Sequence, residues 1–199
     1  MELSELVHKR RMVRHFTQEP VEREVVERML KLAQRAPSAG FTQGQAFIVV
    51  TKPELKQTIA HLCEEESYVE AGFHSFISEA PVLIIPCTSE EAYHKRYQEA
   101  DKVEDDGSEI IWPVPFWYMD IGCSVMLLLL AVVDEGLGAG FAGIVSLENL
   151  EELRKVLHIP AEVTPVGVIP IGHRAPDVAS RSLKRGRKEA SDFIHHEGW

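Results

Sequence analysis

The residues of this 199-residue chain best suited to chemistry are two clusters of arginine and two stretches of small side chains. Near the start, Arg10-Arg11-Met12-Val13-Arg14 places three guanidinium groups within five residues. Side chains alternate in an extended segment, so Arg10, Met12 and Arg14 share one side. A guanidinium is planar, stays charged and grips phosphate through paired N–H groups, so this spacing suits a phosphate-bearing ligand. A solvated basic segment would carry the same residues. Near the end, Arg185-Gly186-Arg187-Lys188 is a second basic group, which could close on the same anion or form a loose tail.

Pro37-Ser38-Ala39-Gly40-Phe41-Thr42-Gln43 is built largely of small side chains, which expose backbone N–H groups to a planar or phosphate-bearing ligand. A plain helix-to-strand loop would look the same. Gly136-Leu137-Gly138-Ala139-Gly140-Phe141-Ala142-Gly143 follows an apolar run and enters a short apolar segment. A dinucleotide fingerprint has the opposite order, opening a helix after a strand, so this is not one. The glycines can be a helix cap, with Gly143 a place where backbone approaches a ligand. The histidines show no metal-ligand spacing, and no nucleophile elbow or P-loop is present. No metal is expected. Anion-binding machinery without an obvious acid, base or nucleophile is what a cofactor enzyme shows, because the cofactor brings the chemistry.

These segments must be positioned by an ordinary soluble fold. The chain is 45% hydrophobic and 26% charged, which excludes disorder, collagen and coiled-coil rods. Its length predicts one domain over 1–199. The net charge of −10 argues against nucleic acid or an anionic membrane as partner. Residues 8–15 nevertheless carry four basic side chains and no acid, and residues 174–188 carry six against Asp177 alone. Two basic islands on an acidic chain suggest a local anion site. Cys63, Cys87 and Cys123 have no metal-like spacing and make an odd number, so reduced thiols and a cytoplasmic location are expected. The N-terminus lacks an apolar signal region. The longest apolar run, Ile121 to Val133, is shorter than the roughly 20 residues that span a bilayer and reads as a core helix.

The pattern predicts helices over 2–9, from Val21 to just before Pro37, from Lys52 to about Cys63, over Met119–Glu135 and over Leu150–Leu157. Gly136 and Gly138 would cap the fourth of these. Strands are expected at Ala46–Val50, Ala80–Cys87, Gly140–Val145 and Val163–Ile171. The second of them is apolar enough to be covered on both faces. Residues 88–118, acidic from Glu99 to Glu109 and aromatic from Trp112 to Tyr118, read as a mobile flap or helical insertion. The alternation of elements makes the fold α+β or α/β.

In order and spacing, several segments together resemble the nitroreductase family of flavoenzymes. They are the arginine motif through Phe16, Ala36-Pro37-Ser38-Ala39, Phe47–Val50, Glu79–Ile84, Asp120-Ile121-Gly122 with Leu127–Leu129, Glu135–Gly138, Ile169–His173, and Arg185–Lys188 with Phe193-Ile194-His195. The resemblance covers essentially the whole chain. It implies an α+β fold with a central mixed, mainly antiparallel sheet wrapped by helices, in an intertwined homodimer with FMN at the subunit interface. It implies hydride transfer from NADH or NADPH through flavin N5 to a nitroaromatic, quinone or unknown small-molecule acceptor, in a ping-pong cycle. Dehalogenase-like and flavin-fragmenting variants of the same scaffold stay open.

Carried over by position, Arg10, Arg11, Met12 and Arg14 fall at the flavin, with Arg14 the electrostatic stabiliser beside its N1–C2=O edge. Pro37, Ser38, Ala39 and Phe41 fall in the loop that the partner subunit sets against the isoalloxazine. Gly143 and Ile144 fall near the flavin's reactive edge, and Arg185 and Arg187 on the phosphate. Phe41, Trp112, Phe116, Trp117 and Tyr118 are the expected substrate-pocket aromatics; core or dimer packing is the alternative for the last four. No side chain is expected as general base. Met12 stands where the family usually has Ser, and Phe41 where it usually has Asn. No residue near 70–75 matches the family's mid-chain Asn and Lys. These departures keep a second reading open: a non-catalytic flavin- or anion-binding sensor or carrier.

Overall fold

The computed structural model describes residues 1–144 and 146–199. Among the described residues there are seven α-helices: α1 (Leu3–Lys9), α2 (Arg23–Ala33), α3 (Pro53–Leu62), α4 (Glu65–Glu70), α5 (Glu90–Tyr97), α6 (Phe116–Asp134) and α7 (Leu147–Val156). Five strands, β1 (Gln45–Val50), β2 (Val82–Thr88), β3 (Gly138–Ala139), β4 (Thr164–Pro165) and β5 (Ile169–Gly172), form one sheet. Its order is β1-β2-β5-β3, with β4 also on β2, and every strand pairing is antiparallel. The parallel component expected of a mixed sheet is a single bridge, Met12 to Ala139.

β2 organises the core. All seven of its residues are buried, as its unbroken apolar run requires. Because side chains alternate along a strand, Leu83, Ile85 and Cys87 enter one hydrophobic cluster and Val82 and Ile84 the other. The first cluster packs α3 and α7 through Ile59, Leu62 and Leu153. The second packs α2 and α6 through Val26, Met29, Leu128 and Val132. Each such side chain contributes about 1.5–3 kcal/mol when fully buried, so the two layers fix the sheet between them.

Several boundaries differ from expectation for local reasons. Gly136, with φ 77°, follows α6 in the left-handed conformation that ends a helix, whereas Gly138 belongs to β3. Of the strand expected over Gly140–Val145, the described residues show a bridge from Ala142 to Val168, with β3 lying just before it; Val145 lies outside the described residues. The run Val163–Ile171 is broken at Gly167, φ 156°, into β4 and β5. Residues 88–118 open with a helix, α5, capped by Ser89 Oγ, which accepts from the Ala92 N–H. α6 has the length and composition to cross a bilayer, but half of it is buried in this fold.

Candidate functional site

An antiparallel seam joins the two basic islands. The Thr17 N–H donates to His173 O (2.9 Å), and the Ala175 N–H donates to His15 O (3.1 Å). Phe16 bridges Arg174. Asp177 Oδ2 accepts from the Arg14 N–H at 2.7 Å, and the His15 ring bonds Pro176 O at 2.6 Å through Nδ1. The arginine motif also runs along β3, where the Val13 N–H donates to Ala139 O (2.9 Å). Glycine is required at this seam: a Cβ on Gly140 would lie 2.7 Å from Val13 O. The glycine-rich stretch thus seats the arginine motif.

The result is a cleft of about 600 Å³ lined by Arg10, Arg11, Arg14, Arg174 and Arg187, together with Met12. Its one acidic lining residue, Asp177, is engaged by the Arg14 backbone. Among the described residues, the guanidinium groups of Arg10, Arg11, Arg14 and Arg187 form no ion pair. Arg14 instead stacks over the Phe73 ring, 5.0 Å from its centroid, which fixes the direction of its charge. Arg174 donates from Nε to Leu137 O (3.1 Å). Burial first, and the like charge of Arg11 second, push the Arg174 pKa below the ordinary arginine value. Charges that crowd and repel one another favour binding of a multivalent anion. The donor set therefore fits a phosphate-bearing cofactor. Sequence reasoning counted Arg174 in the second island without assigning it a role. Arg185 is exposed and does not line the cleft.

Of Pro37, Ser38, Ala39 and Phe41, only Phe41 lines a cleft, and it is a different one. A second cleft, about 910 Å³, is lined by Leu30 of α2 and Gln34 just after it, by Phe41 and Gln43, by Phe47 of β1 and by Ser124 of α6. The loop above it has left-handed backbone at Gly40, Phe41 and Gln43, with φ 60°, 55° and 55°. For the two non-glycine residues that conformation costs roughly 1–2 kcal/mol each. Phe41 is nevertheless 74% exposed. Asp120, buried in α6, reaches this loop: its Oδ2 accepts from the Ala39 N–H (2.9 Å) and from the Tyr93 hydroxyl (2.7 Å). Burial, then the bond to Asp120, pushes the Tyr93 pKa far up, so it stays a donor.

The remaining expected residues are placed as follows. Gly143 is exposed with open space around it, and Ile144 packs on the first core cluster; neither lines either cleft. Trp112, Phe116 and Trp117 pack with Tyr93 and Tyr97 in one aromatic cluster, Trp112 meeting Tyr97 at 4.6 Å. Trp117 is buried and Tyr118 is exposed at its edge, and none of the four lines either cleft. In the region without a family match, His74 stacks on His15 with ring centroids 3.5 Å apart.

The nitroreductase family profile matches residues 7–173. The chain belongs to the nitroreductase family. The match includes Arg10, Arg11, Arg14 and the 37–41 loop, and stops just before Arg174. Among relatives of this nitroreductase-family chain, one from Methanothermobacter thermautotrophicus, provisionally named NADH dehydrogenase/NAD(P)H nitroreductase, is 28% identical. That alignment covers all of this chain and 88% of the relative. The FMN reductase [NAD(P)H] of Bacillus subtilis is also 28% identical, over 94% of this chain and 70% of its own. A crystal structure of oxidised iodotyrosine deiodinase bound to FMN and 3-iodo-L-tyrosine superposes over the full length of both chains, with a TM-score of 0.73 at 23% identity. That likeness shows the fold.

Proposed function

We propose that the chain is an FMN-dependent oxidoreductase that draws electrons from NADH or NADPH and passes them to a quinone, a nitroaromatic or another small acceptor. The observation that carries this reading is the cleft of five arginines with its one acid already engaged. Flavin reductases among the relatives support the cofactor and the donor. When bound, FMN supplies the two-electron redox chemistry.

The chain's own residues bind and polarise. Arg10, Arg11, Arg174 and Arg187 hold the phosphate and ribityl end. Arg14, fixed on Phe73 and tied through its backbone to Asp177, presents a standing positive charge where electron density builds. No side chain has to move a proton for hydride transfer. Donor and acceptor would occupy the site in turn, which is a ping-pong order.

The working unit in this reading is a homodimer. α6 exposes Tyr118, Met119 and Met126 along one side, and the tail exposes Leu183, Phe193 and Ile194. A second copy covering these surfaces would bring the Ser38–Phe41 loop of one subunit to the flavin of the other. All 199 residues then serve one flavin-binding domain. A reducing, cytoplasmic setting suits Cys63 and Cys87, whose thiols are pushed up to about 12 by burial.

The test is an absorbance spectrum of the purified chain with added FMN, followed by anaerobic NADH and then NADPH. Flavin bands that bleach are the expected result. Failure to retain FMN overturns the proposal. Retention without bleaching leaves a flavin-binding sensor or carrier. Light scattering on the same sample reads the dimer.

A further inference from the structure

The Ser38–Gln43 loop combines two unfavourable features, left-handed backbone at non-glycine residues and a large exposed aromatic, Phe41. Neither burial nor packing of the Phe41 side chain explains them. Such strain persists only where surrounding contacts over-determine it, and it concentrates at functional positions. The contacts come mainly from one face of α5. Arg96 Nε donates to Gly40 O at 3.0 Å. The Tyr97 ring lies where a Cβ of Gly40 would fall, 2.7 Å away, and the Tyr93 ring lies equally close to Gly44. Tyr93 also shares Asp120 with the Ala39 N–H. Both ends of the loop are therefore clamped to α5.

Arg96 is itself braced from behind. Asp101 receives a two-pronged bond from Nη1 and Nη2, both 2.7 Å, and Glu99 accepts from Nη1 at 2.9 Å. The side chain, only 21% exposed, spans from the acidic segment after α5 to the backbone carbonyl next to Phe41. A lysine could not make this fork, because its single ammonium cannot point along three directions fixed by one plane.

We propose that Arg96 is a positioning residue: braced by Asp101, it holds the Ser38–Gln43 loop so that Phe41 forms a wall of the acceptor site. The inference rests on the flavin reading above and adds to it the element that shapes acceptor specificity. Arg96 touches no reacting atom; it acts through the loop. Planar aromatic acceptors are the class such a wall selects, since a phenyl ring held out from the backbone offers a face for stacking.

The experiment uses the full-length, FMN-loaded chain with menadione as the acceptor probe, and compares wild type, R96Q, R96K, D101N, F41A and the R96Q/F41A double variant. Expected in R96Q are an acceptor KM raised about five- to tenfold with kcat held within about twofold, and faster amide exchange at residues 39–43. R96K should recover little of the KM, and D101N should move it in the same direction by less. R96Q/F41A should be no worse than F41A alone, because both changes remove one wall. Additive KM effects, or an unchanged KM in R96Q, overturn the proposal. If wild type retains no FMN, or is not bleached by NAD(P)H, the flavin reading fails separately and the acceptor assignment falls with it. Amide exchange then tests the clamp alone, and unchanged exchange in R96Q removes that too.

Discussion

The arginine cleft and the 38–43 loop are opposite solutions to building a site. In the cleft, five cations converge with one acid, itself engaged, and Arg174 has its pKa pushed down by burial and by the charge of Arg11. In the loop, the backbone is held from several sides: Ser38 Oγ accepts from the Gln43 N–H, Ser38 O from the Phe41 N–H, Asp120 from the Ala39 N–H, and Gly40 O from Arg96. The cleft is electrostatically unfinished and its ligand would complete it. The loop is finished within the subunit and needs nothing to hold its shape. Ligand loss should therefore loosen the first and leave the second unchanged.

The largest effect that could break this comparison is at Arg11. The side chain is exposed, forms no ion pair among the described residues and lies near Arg174. Arg11→Ala removes a charge-assisted contact worth about 1.5–3 kcal/mol, so FMN affinity should fall by about 10- to 100-fold. The ligand-free chain should not lose stability, because a repulsion goes too. Fluorescence titration with FMN and a thermal melt without it check the two halves. A variant that melts lower without FMN would show that the cleft is structurally finished, against the comparison.

Asp120→Ala probes the other region from inside. It leaves the Tyr93 hydroxyl and the Ala39 N–H without their acceptor, at a cost of roughly 1–3 kcal/mol. Urea unfolding without FMN should show that loss in full. If the loss appears only with FMN bound, the loop is completed by ligand as the cleft is, and the distinction collapses.

The two regions also differed in how far they could be read from residues alone. Charge is a local property, so the two basic islands stood out as candidates for a local anion site from residues alone; the structure brings Arg10, Arg11, Arg14 and Arg187 to one cleft and leaves Arg185 outside it. The apolar run of β2 was equally plain, because burial on both faces leaves almost no polar residue in the pattern, and α6 was plain from the length of its apolar run despite Asp120 and Ser124 within it. Arg174 was harder: only the seam between residues 14–17 and 173–177 turns it into the cleft. The 38–43 clamp was not legible. Left-handed φ at Phe41 and Gln43 has no composition signal, and Arg96 and Asp120 reach the loop from distant parts of the sequence through one hydrogen bond each. For Trp112 and Trp117 the residues alone left pocket and packing open, and the structure packs both with α5 through Tyr93.

The smallest expected effect separates the Arg96 brace from its neighbour on the same helix. His94 Nδ1 bonds Glu109 Oε1 at 2.5 Å, and Glu109 also accepts from Trp112 Nε1 at 2.6 Å and Gln98 Nε2 at 3.1 Å. The bond to Glu109 raises the His94 pKa above its ordinary value, and the bond from Trp112, chief among several, lowers that of Glu109. A raised histidine contributes stability that is complete below its unfolded pKa of about 6.5 and lost as pH climbs through the folded value. A depressed carboxylate contributes above about 4.3 and loses that as pH falls through its folded value. The tie is therefore fullest between those limits and loosens on the alkaline side. The Arg96 brace behaves differently: Asp101 is held at about 2, chiefly by its bond from Arg96, so the brace does not titrate above pH 5. Tryptophan emission should shift modestly between pH 6.5 and 9 in wild type and stay flat in His94→Gln and Trp112→Phe. Amide exchange at residues 39–43, corrected for its intrinsic pH dependence, should not change over that range. If it does, the histidine tie and the arginine brace form one unit, and the loop is held less independently than its bonds indicate.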